Sequence, residues 1–131
     1  MVQYLKGNKI YQVKNVIALF IYNKPDTTKK VLASIKKVNP KTLIIISDGP
    51  KDDQMDIKNV HQTLNLIQEL ELECNIITNF SDVNLGLKNR FSSGMKFIFE
   101  ETDQAIILED DCLPTTNFFR FLNTNSSFFL I

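Results

Sequence analysis

The sequence predicts an α/β fold in which an open, mainly parallel sheet carries helices on both faces, and three observations support this prediction. Apolar runs alternate four times with a turn and a segment of helical periodicity, which is typical of parallel strands joined by right-handed crossovers. The runs are apolar throughout, as in strands that are covered on both faces. Polar residues follow three of the strands at one edge, where sheets of this Rossmann-like kind bind ligands.

The first two units are defined by their apolar spacing. The first strand is expected at 16–22, and Asp26 is expected to cap the helix that follows. Asn39-Pro40 should end that helix, whose apolar face comprises Val31, Leu32, Ile35 and Val38. The second strand is expected at 42–47 and is followed by a turn at 48–50 and a helix at about 53–71. The apolar face of this second helix comprises Ile57, Val60, Leu64 and Ile67.

The last two units bring the chain to its acidic motif. A third strand is expected at 74–80, a loop at 81–85 and a third helix at about 86–101. The apolar stripe of this helix comprises Leu87, Phe91, Met95 and Ile98. The fourth strand, at 105–108, runs directly into Glu109-Asp110-Asp111, and a short helix is expected at about 116–122. The tail at 123–131 has little periodicity.

Composition limits the classes of function. The 131 residues suffice for one domain, and 15 basic residues balance 15 acidic ones. This neutral balance argues against a nucleic-acid partner, which requires a basic surface. No signal peptide or transmembrane segment is visible, so we expect a cytoplasmic protein, either soluble or peripheral to a membrane. Cys74 and Cys112 fall at opposite edges of the predicted sheet, too far apart to be bridged, and are expected to be free thiols.

The three successive carboxylates at the end of the fourth strand are the most informative motif. They repel one another and lose hydration where a buried strand ends, and a bound divalent cation would offset both costs. Mn²⁺ and Mg²⁺ prefer carboxylate and phosphate oxygens and often bridge a protein to a diphosphate. The alternative is a solvated acidic turn, which is the commoner origin of an acidic triplet. The position at the carboxyl end of a strand favours the metal site.

Four segments resemble the GT-A glycosyltransferases, and most closely those similar to the N-acetylglucosaminyltransferase I family. The metal-site segment of that family is similar to Ile106-Ile-Leu-Glu-Asp-Asp-Cys-Leu-Pro114 followed by Asn117-Phe-Phe-Arg-Phe121. The segments at 20–25, 47–51 and 84–88 agree with it in order and spacing. The resemblance implies a metal-dependent transferase that moves a sugar from a nucleotide diphosphate, such as a UDP-sugar, to an acceptor hydroxyl.

The resemblance also implies a role for individual residues. Asp111, with Asp110, would coordinate Mn²⁺ or Mg²⁺, and the metal would bridge the donor diphosphate. Glu109 and Asp110 would contact the ribose or the donor sugar, and Asp48 would accept a hydrogen bond from the uracil ring. Lys24 would approach the phosphates, where the family often has an arginine. Further donor-binding positions are expected beside these: Tyr22, Asn23, Asn84, Gly86 and Lys88.

Plainer interpretations remain open for several of these residues. Lys24 could be a solvated turn residue, and Asp48-Gly49 is a common turn pair. Asn84-Leu-Gly86 could mark the start of a helix and have no role in binding. His61, the single histidine, is expected to be structural. No Gly-x-Gly-x-x-Gly follows the first strand and no Walker motif occurs, which argues against a dinucleotide or P-loop site.

The resemblance covers the core at 15–122 and implies that the acceptor region and the catalytic base follow the acidic motif. We therefore expect 1–131 to be the donor-binding half of the domain, with an atypical tail at 123–131 and no assigned base. Two other hypotheses stay open, namely a non-catalytic remnant that binds a nucleotide-sugar or metal, and a structural α/β domain. Strands missing from such a half would leave apolar sheet surface exposed, so self-association is expected.

Overall fold

A computed structural model describes residues 16–115, 118–119 and 129–130 of the chain. The sheet has the strand order β3-β2-β1-β4-β5, and every pairing in it is parallel. The predicted open α/β sheet is therefore confirmed. The elements follow one another as β1 (Val16–Ile21), α1 (Pro25–Val38), β2 (Thr42–Ser47), α2 (Gln54–Gln68), β3 (Asn75–Phe80), α3 (Leu87–Glu101), β4 (Ala105–Glu109) and β5 (Phe129–Leu130).

The helices cover both faces of the sheet, as the apolar runs predict. Alternate residues of β1 point to opposite faces, so Ile17 and Leu19 pack with α1 and α2, whereas Ala18 packs with α3. All three of these side chains are 0% exposed. β1 is the central strand, so its carboxyl end lies between those of β2 and β4.

A close contact between α3 and the sheet sets the position of this helix. A Cβ atom built on Gly94 would lie 2.5 Å from the Phe20 ring and 2.9 Å from Cγ2 of Ile46. Glycine at this position therefore lets the helix backbone approach the strands. Phe20 also packs on Phe91 of α3, with ring centroids 5.0 Å apart, which anchors the helix start beside the carboxyl end of β1.

The structure corrects the expected N-cap of α1 and one residue of the expected apolar stripe of α3. Asp26 does not cap α1, because the N-cap position is Lys24, which makes no side-chain capping bond, and Pro25 takes the first helical position. Proline suits that position because its fixed φ matches a helix start. Leu87, expected in the apolar stripe of α3, is instead 85% exposed as the first residue of the helix.

The end of the chain is described only in part. Of the short helix expected at 116–122, residues 118 and 119 are helical, and Phe119 is buried in the core with α1. Phe129–Leu130, within the tail expected to be atypical, pairs in parallel with Ile106 and Ile107 as β5. The other residues of both segments lie outside the described part of the chain.

Other expectations concern single residues and the membrane. Cys74 and Cys112 are free thiols, as predicted. His61 is exposed on α2, in agreement with a structural interpretation. None of the helices in the described ranges is long and apolar enough to cross a bilayer.

Candidate functional site

A cleft of about 410 Å³ lies at the carboxyl edge of the sheet, between the ends of β1, β2 and β4 and the start of α3. It brings together nearly all of the residues predicted for the site from sequence. Those residues are Tyr22, Asn23, Lys24, Asp48, Asn84, Gly86, Glu109, Asp110 and Asp111. Lys88 is the exception, because it is exposed on α3 and does not line the cleft. Six residues that were not predicted for the site also line it: Phe20, Ile21, Lys51, Leu87, Arg90 and Phe91.

The acidic motif presents two carboxylates and a thiol together. The ligand atoms of Glu109, Asp111 and Cys112 all lie within 4.8 Å of one another. Asp110 is not among these three ligands, and its Oδ2 accepts a hydrogen bond from the backbone N–H of Tyr22 at 3.1 Å. Glu109 and Asp111 are therefore two carboxylates close enough to share one metal ion, and the expected pair of Asp110 and Asp111 stays a prediction.

The ionisable groups of the acidic motif differ in burial and in their contact with Lys24, and their pKa values shift accordingly. Lys24 Nζ lies 3.3 Å from Oδ2 of Asp111, and both side chains are about half exposed. The hydrogen bond and the charge of Lys24 hold the pKa of Asp111 below its ordinary value. Burial raises the pKa of Asp110 and also raises the pKa of the Cys112 thiol. Lys24 therefore contacts the motif through an exposed pair, and such pairs add little stability.

Asp48, at the end of β2, holds the loop that precedes α3. Its Oδ1 accepts hydrogen bonds from the N–H groups of Gly49 and Leu85, both at 2.9 Å. Its Oδ2 accepts from the N–H of Gly86 at 3.1 Å and from Asn84 Nδ2 at 3.3 Å. A carboxylate offers about four acceptor sites, so this set is full. The role implied for Asp48, a contact to uracil, would require one of these bonds to be exchanged.

Two glycines shape the loop that Asp48 holds. Gly86 has φ 84° and ψ 158°, a region that is essentially restricted to glycine. A Cβ atom built on Gly49 would lie 2.6 Å from the backbone of Val83, so the loop passes directly over Gly49. The turn pair Asp48-Gly49 therefore does more than reverse the chain, since it fixes one wall of the cleft.

Asp56, in the first turn of α2, is a residue that the sequence interpretation missed. It is 8% exposed, and its carboxylate accepts hydrogen bonds from the Tyr22 hydroxyl, from Asn23 Nδ2 at 2.7 Å and from the N–H of Lys51 at 2.7 Å. Burial alone would raise the pKa of Asp56, but these hydrogen bonds outweigh it and hold the pKa below its ordinary value. Burial and the bond to Asp56 raise the pKa of Tyr22 to about 12.

Arg90 of α3 is the second residue that was missed. It is 7% exposed, and it donates from Nε to the Ser47 carbonyl oxygen at 3.1 Å and from NH2 to the Asn79 carbonyl and side-chain oxygens at 2.6 and 2.7 Å. The guanidinium thus joins the carboxyl ends of β2 and β3 to α3. A single arginine on a helix gives no sequence signal of such a role, because surface arginines are far more common.

Comparison of the chain with protein-family models, with curated proteins and with solved structures found no match. The geometry of the cleft is therefore the basis for any functional assignment.

Proposed function

We propose that the chain binds a nucleotide-diphosphate sugar, such as a UDP-sugar, together with Mn²⁺ or Mg²⁺, as the donor half of a metal-dependent GT-A glycosyltransferase. The observation that carries this proposal is the single cleft that joins Lys24, Asp48 and the acidic motif. Its volume of about 410 Å³ falls within the usual range for small-molecule sites. One ligand can therefore contact the ends of three neighbouring strands.

The donor atoms of the acidic motif suit a hard divalent cation. Glu109 and Asp111 place two carboxylates within 4.8 Å of each other, which one ion with oxygen ligands can span. Cys112 lies in the same group, and a sulfur ligand would favour softer metals. We assign the metal to the two carboxylates, with phosphate oxygens of the ligand completing its coordination.

The charges of the cleft support a ligand that is bound with a metal. Three basic side chains line it, namely Lys24, Lys51 and Arg90. Four acidic side chains line it as well, namely Asp48, Glu109, Asp110 and Asp111. The excess of negative charge disfavours an anion such as a diphosphate, and a divalent cation reverses the sign. Lys24, 3.3 Å from Asp111, is placed to exchange this partner for a phosphate oxygen.

The reaction that fits such a site is sugar transfer with departure of the nucleotide diphosphate. A bound metal would neutralise charge on the departing group, and Lys24 would add a positive charge beside it. No base for the acceptor hydroxyl is assigned among the described residues.

Isothermal titration calorimetry with UDP and Mn²⁺ tests the proposal. Asp111→Asn should weaken Mn²⁺ binding and, with it, UDP binding by at least about tenfold, because one charged ligand is lost. Asp103→Asn is the matched control, since Asp103 is exposed on the loop before β4, away from the cleft. Cys112→Ser should leave both affinities nearly unchanged. UDP binding that is the same with Asp111→Asn as with Asp103→Asn would refute the metal site.

A second candidate function is binding of the nucleotide-sugar without transfer. It is favoured because the carboxylates of the cleft already have hydrogen-bond partners or are assigned to the metal, which leaves none to act as a base. Asp48 is held by four internal hydrogen bonds, Asp110 accepts from Tyr22, and Glu109 and Asp111 are assigned to the metal. Hydrolysis of a UDP-sugar in the presence of Mn²⁺ separates the two candidates. Release of free sugar supports a transferase, whereas tight binding with no release supports a binding module.

A further inference from the structure

We propose that Asp56 is a positioning residue that holds the loops around the cleft in one arrangement and so supports nucleotide binding. This inference rests on the function proposed above for the cleft. Asp56 does not line the cleft itself, so it acts through the residues that it holds.

The carboxylate of Asp56 joins two of the four segments that surround the cleft. Tyr22 and Asn23 belong to the turn between β1 and α1, and both donate side-chain hydrogen bonds to it. Lys51 belongs to the loop between β2 and α2 and donates its backbone N–H at 2.7 Å. Since Tyr22 and Asn23 immediately precede Lys24, these bonds also fix the point from which the Lys24 side chain extends.

Tyr22 extends these connections to the other two segments. Its hydroxyl accepts a hydrogen bond from Asn84 Nδ2 at 3.2 Å, and Asn84 lies in the loop before α3. Its backbone N–H donates to Asp110 at 3.1 Å, in the acidic motif after β4. A chain of direct bonds therefore links Asp56, through Tyr22, to every loop that contributes to the cleft.

Helix capping does not account for this arrangement. The N-cap of α2 is Asp53, whose side chain accepts a hydrogen bond from the N–H of Asp56 at 3.0 Å. Asp56 itself accepts from Tyr22, Asn23 and Lys51, all of which lie outside the helix. These three hydrogen bonds, together with the positive charge of Lys51, stabilise the buried carboxylate of Asp56 in its ionised form. Such a cluster gives the loops a common anchor.

The test compares Asp56→Asn and Tyr22→Phe with Val60→Ala. Val60 lies one turn further along α2 and is 1% exposed, so its truncation destabilises the same helix without touching the cluster. Amide hydrogen exchange is measured at Tyr22, Leu85 and Gly86 by nuclear magnetic resonance. Calorimetry measures the affinity for Mn²⁺ alone and for UDP in its presence.

Both cluster variants should accelerate exchange at these amides more than Val60→Ala does, at comparable overall stability. They should weaken UDP binding by about tenfold, the effect of losing one charge-assisted hydrogen bond, and leave the affinity for Mn²⁺ alone unchanged. Exchange rates and UDP affinities equal to those of Val60→Ala would overturn the positioning role. Failure of the wild-type chain to bind UDP would instead overturn the proposed function, and the exchange rates would still decide whether Asp56 orders the loops.

Discussion

The carboxylate of Asp48 accepts four hydrogen bonds from within the protein, so a ligand can bond to it only by replacing one of these donors. Of its four bonds, the one from Asn84 is the longest at 3.3 Å, and Asn84 also donates to the Gly49 carbonyl oxygen at 2.8 Å. That amide can therefore leave Asp48 without losing all of its partners. An N–H of a nucleobase would take its place more readily than it would displace the backbone donors of Leu85 or Gly86.

Residue by residue, the clearest dependence on pH belongs to Asp56. Its pKa in the folded chain lies below the ordinary value of 3.8, so its ionised form stabilises the fold above about that pH. This stabilisation is lost as the pH falls through the folded-state pKa. Asp56→Asn should lower the free energy of unfolding by about 1–3 kcal/mol at neutral pH, and the difference from wild type should shrink below pH 3.8.

Urea unfolding followed by circular dichroism at a series of pH values measures this difference. Asp103→Asn, which removes an exposed carboxylate, provides the control and should change stability little at any pH. A difference between wild type and Asp56→Asn that is constant from neutral to acidic pH would contradict the role assigned to the ionised carboxylate.

The location of a side chain in the site was predictable where the residue directly follows a strand. Lys24, Asp48 and Asp111 follow strands, and parallel strands end at one edge, so their meeting in the cleft followed from the order of the elements. Asp56 and Arg90 were not predictable, because their partners lie far away along the chain, as with Tyr22 and Ser47. The grouping of Glu109 with Asp111 and Cys112 depends on the backbone direction after β4, which composition does not encode.

At the level of elements, the approach of α3 to the sheet depends on Gly94. Gly94→Ala would place a methyl group 2.5 Å from the Phe20 ring and 2.9 Å from Ile46, so either α3 or these side chains must be displaced. Overpacking of this kind costs about 1–3 kcal/mol. Because Phe91 on the same helix lines the cleft, the displacement should also weaken UDP binding.

Ser92→Ala is the control for this prediction, since Ser92 is exposed on the same helix and alanine has the higher helix propensity. Thermal unfolding should show a lower midpoint for Gly94→Ala and an equal or higher one for Ser92→Ala. Equal midpoints for the two variants would mean that α3 does not approach the sheet as closely as described.

The elements themselves were largely predictable from continuous apolar runs and helical spacing, because buried parallel strands and amphipathic helices have distinct periods. Their ends were less so. The helix expected at 53–71 ends at Gln68, and Pro25 rather than Asp26 begins α1. The pairing of Phe129–Leu130 with β4 could not be foreseen, since two residues have no period.

For the whole molecule, most of the exposed large apolar side chains lie toward the carboxyl edge of the sheet. The described strand residues of β4 from Ala105 to Leu108 are all 0% exposed, so the exposed sheet surface that was expected is not found there. The large exposed side chains lie mostly in loops and helix starts near the cleft. They comprise Met55, Val83, Leu85, Leu87 and Leu113, together with Phe80 at the end of β3 and Phe99 near the other end of α3.

This cluster makes self-association the expected behaviour of the chain at high concentration. Leu87→Ser should shift the chain toward monomer, because Leu87 is 85% exposed and the substitution removes apolar surface without opening a cavity. Lys88→Ser, at the next exposed position of α3, is the control. Sedimentation velocity measures the distribution, and equal effects of the two substitutions would exclude an apolar contact through this edge.

The central position of β1 also affects how the chain is made. One neighbour of β1 is β2, which follows after a single helix. The other neighbour is β4, which begins at Ala105 opposite Val16, roughly 90 residues later. A ribosome adds these residues in roughly 5–20 s at about 5–20 residues per second. During that interval the edge of β1 that later pairs with β4 has no hydrogen-bonding partner in the nascent polypeptide, so another strand could pair with it. Chaperone capture should therefore concentrate on this stretch until β4 has emerged.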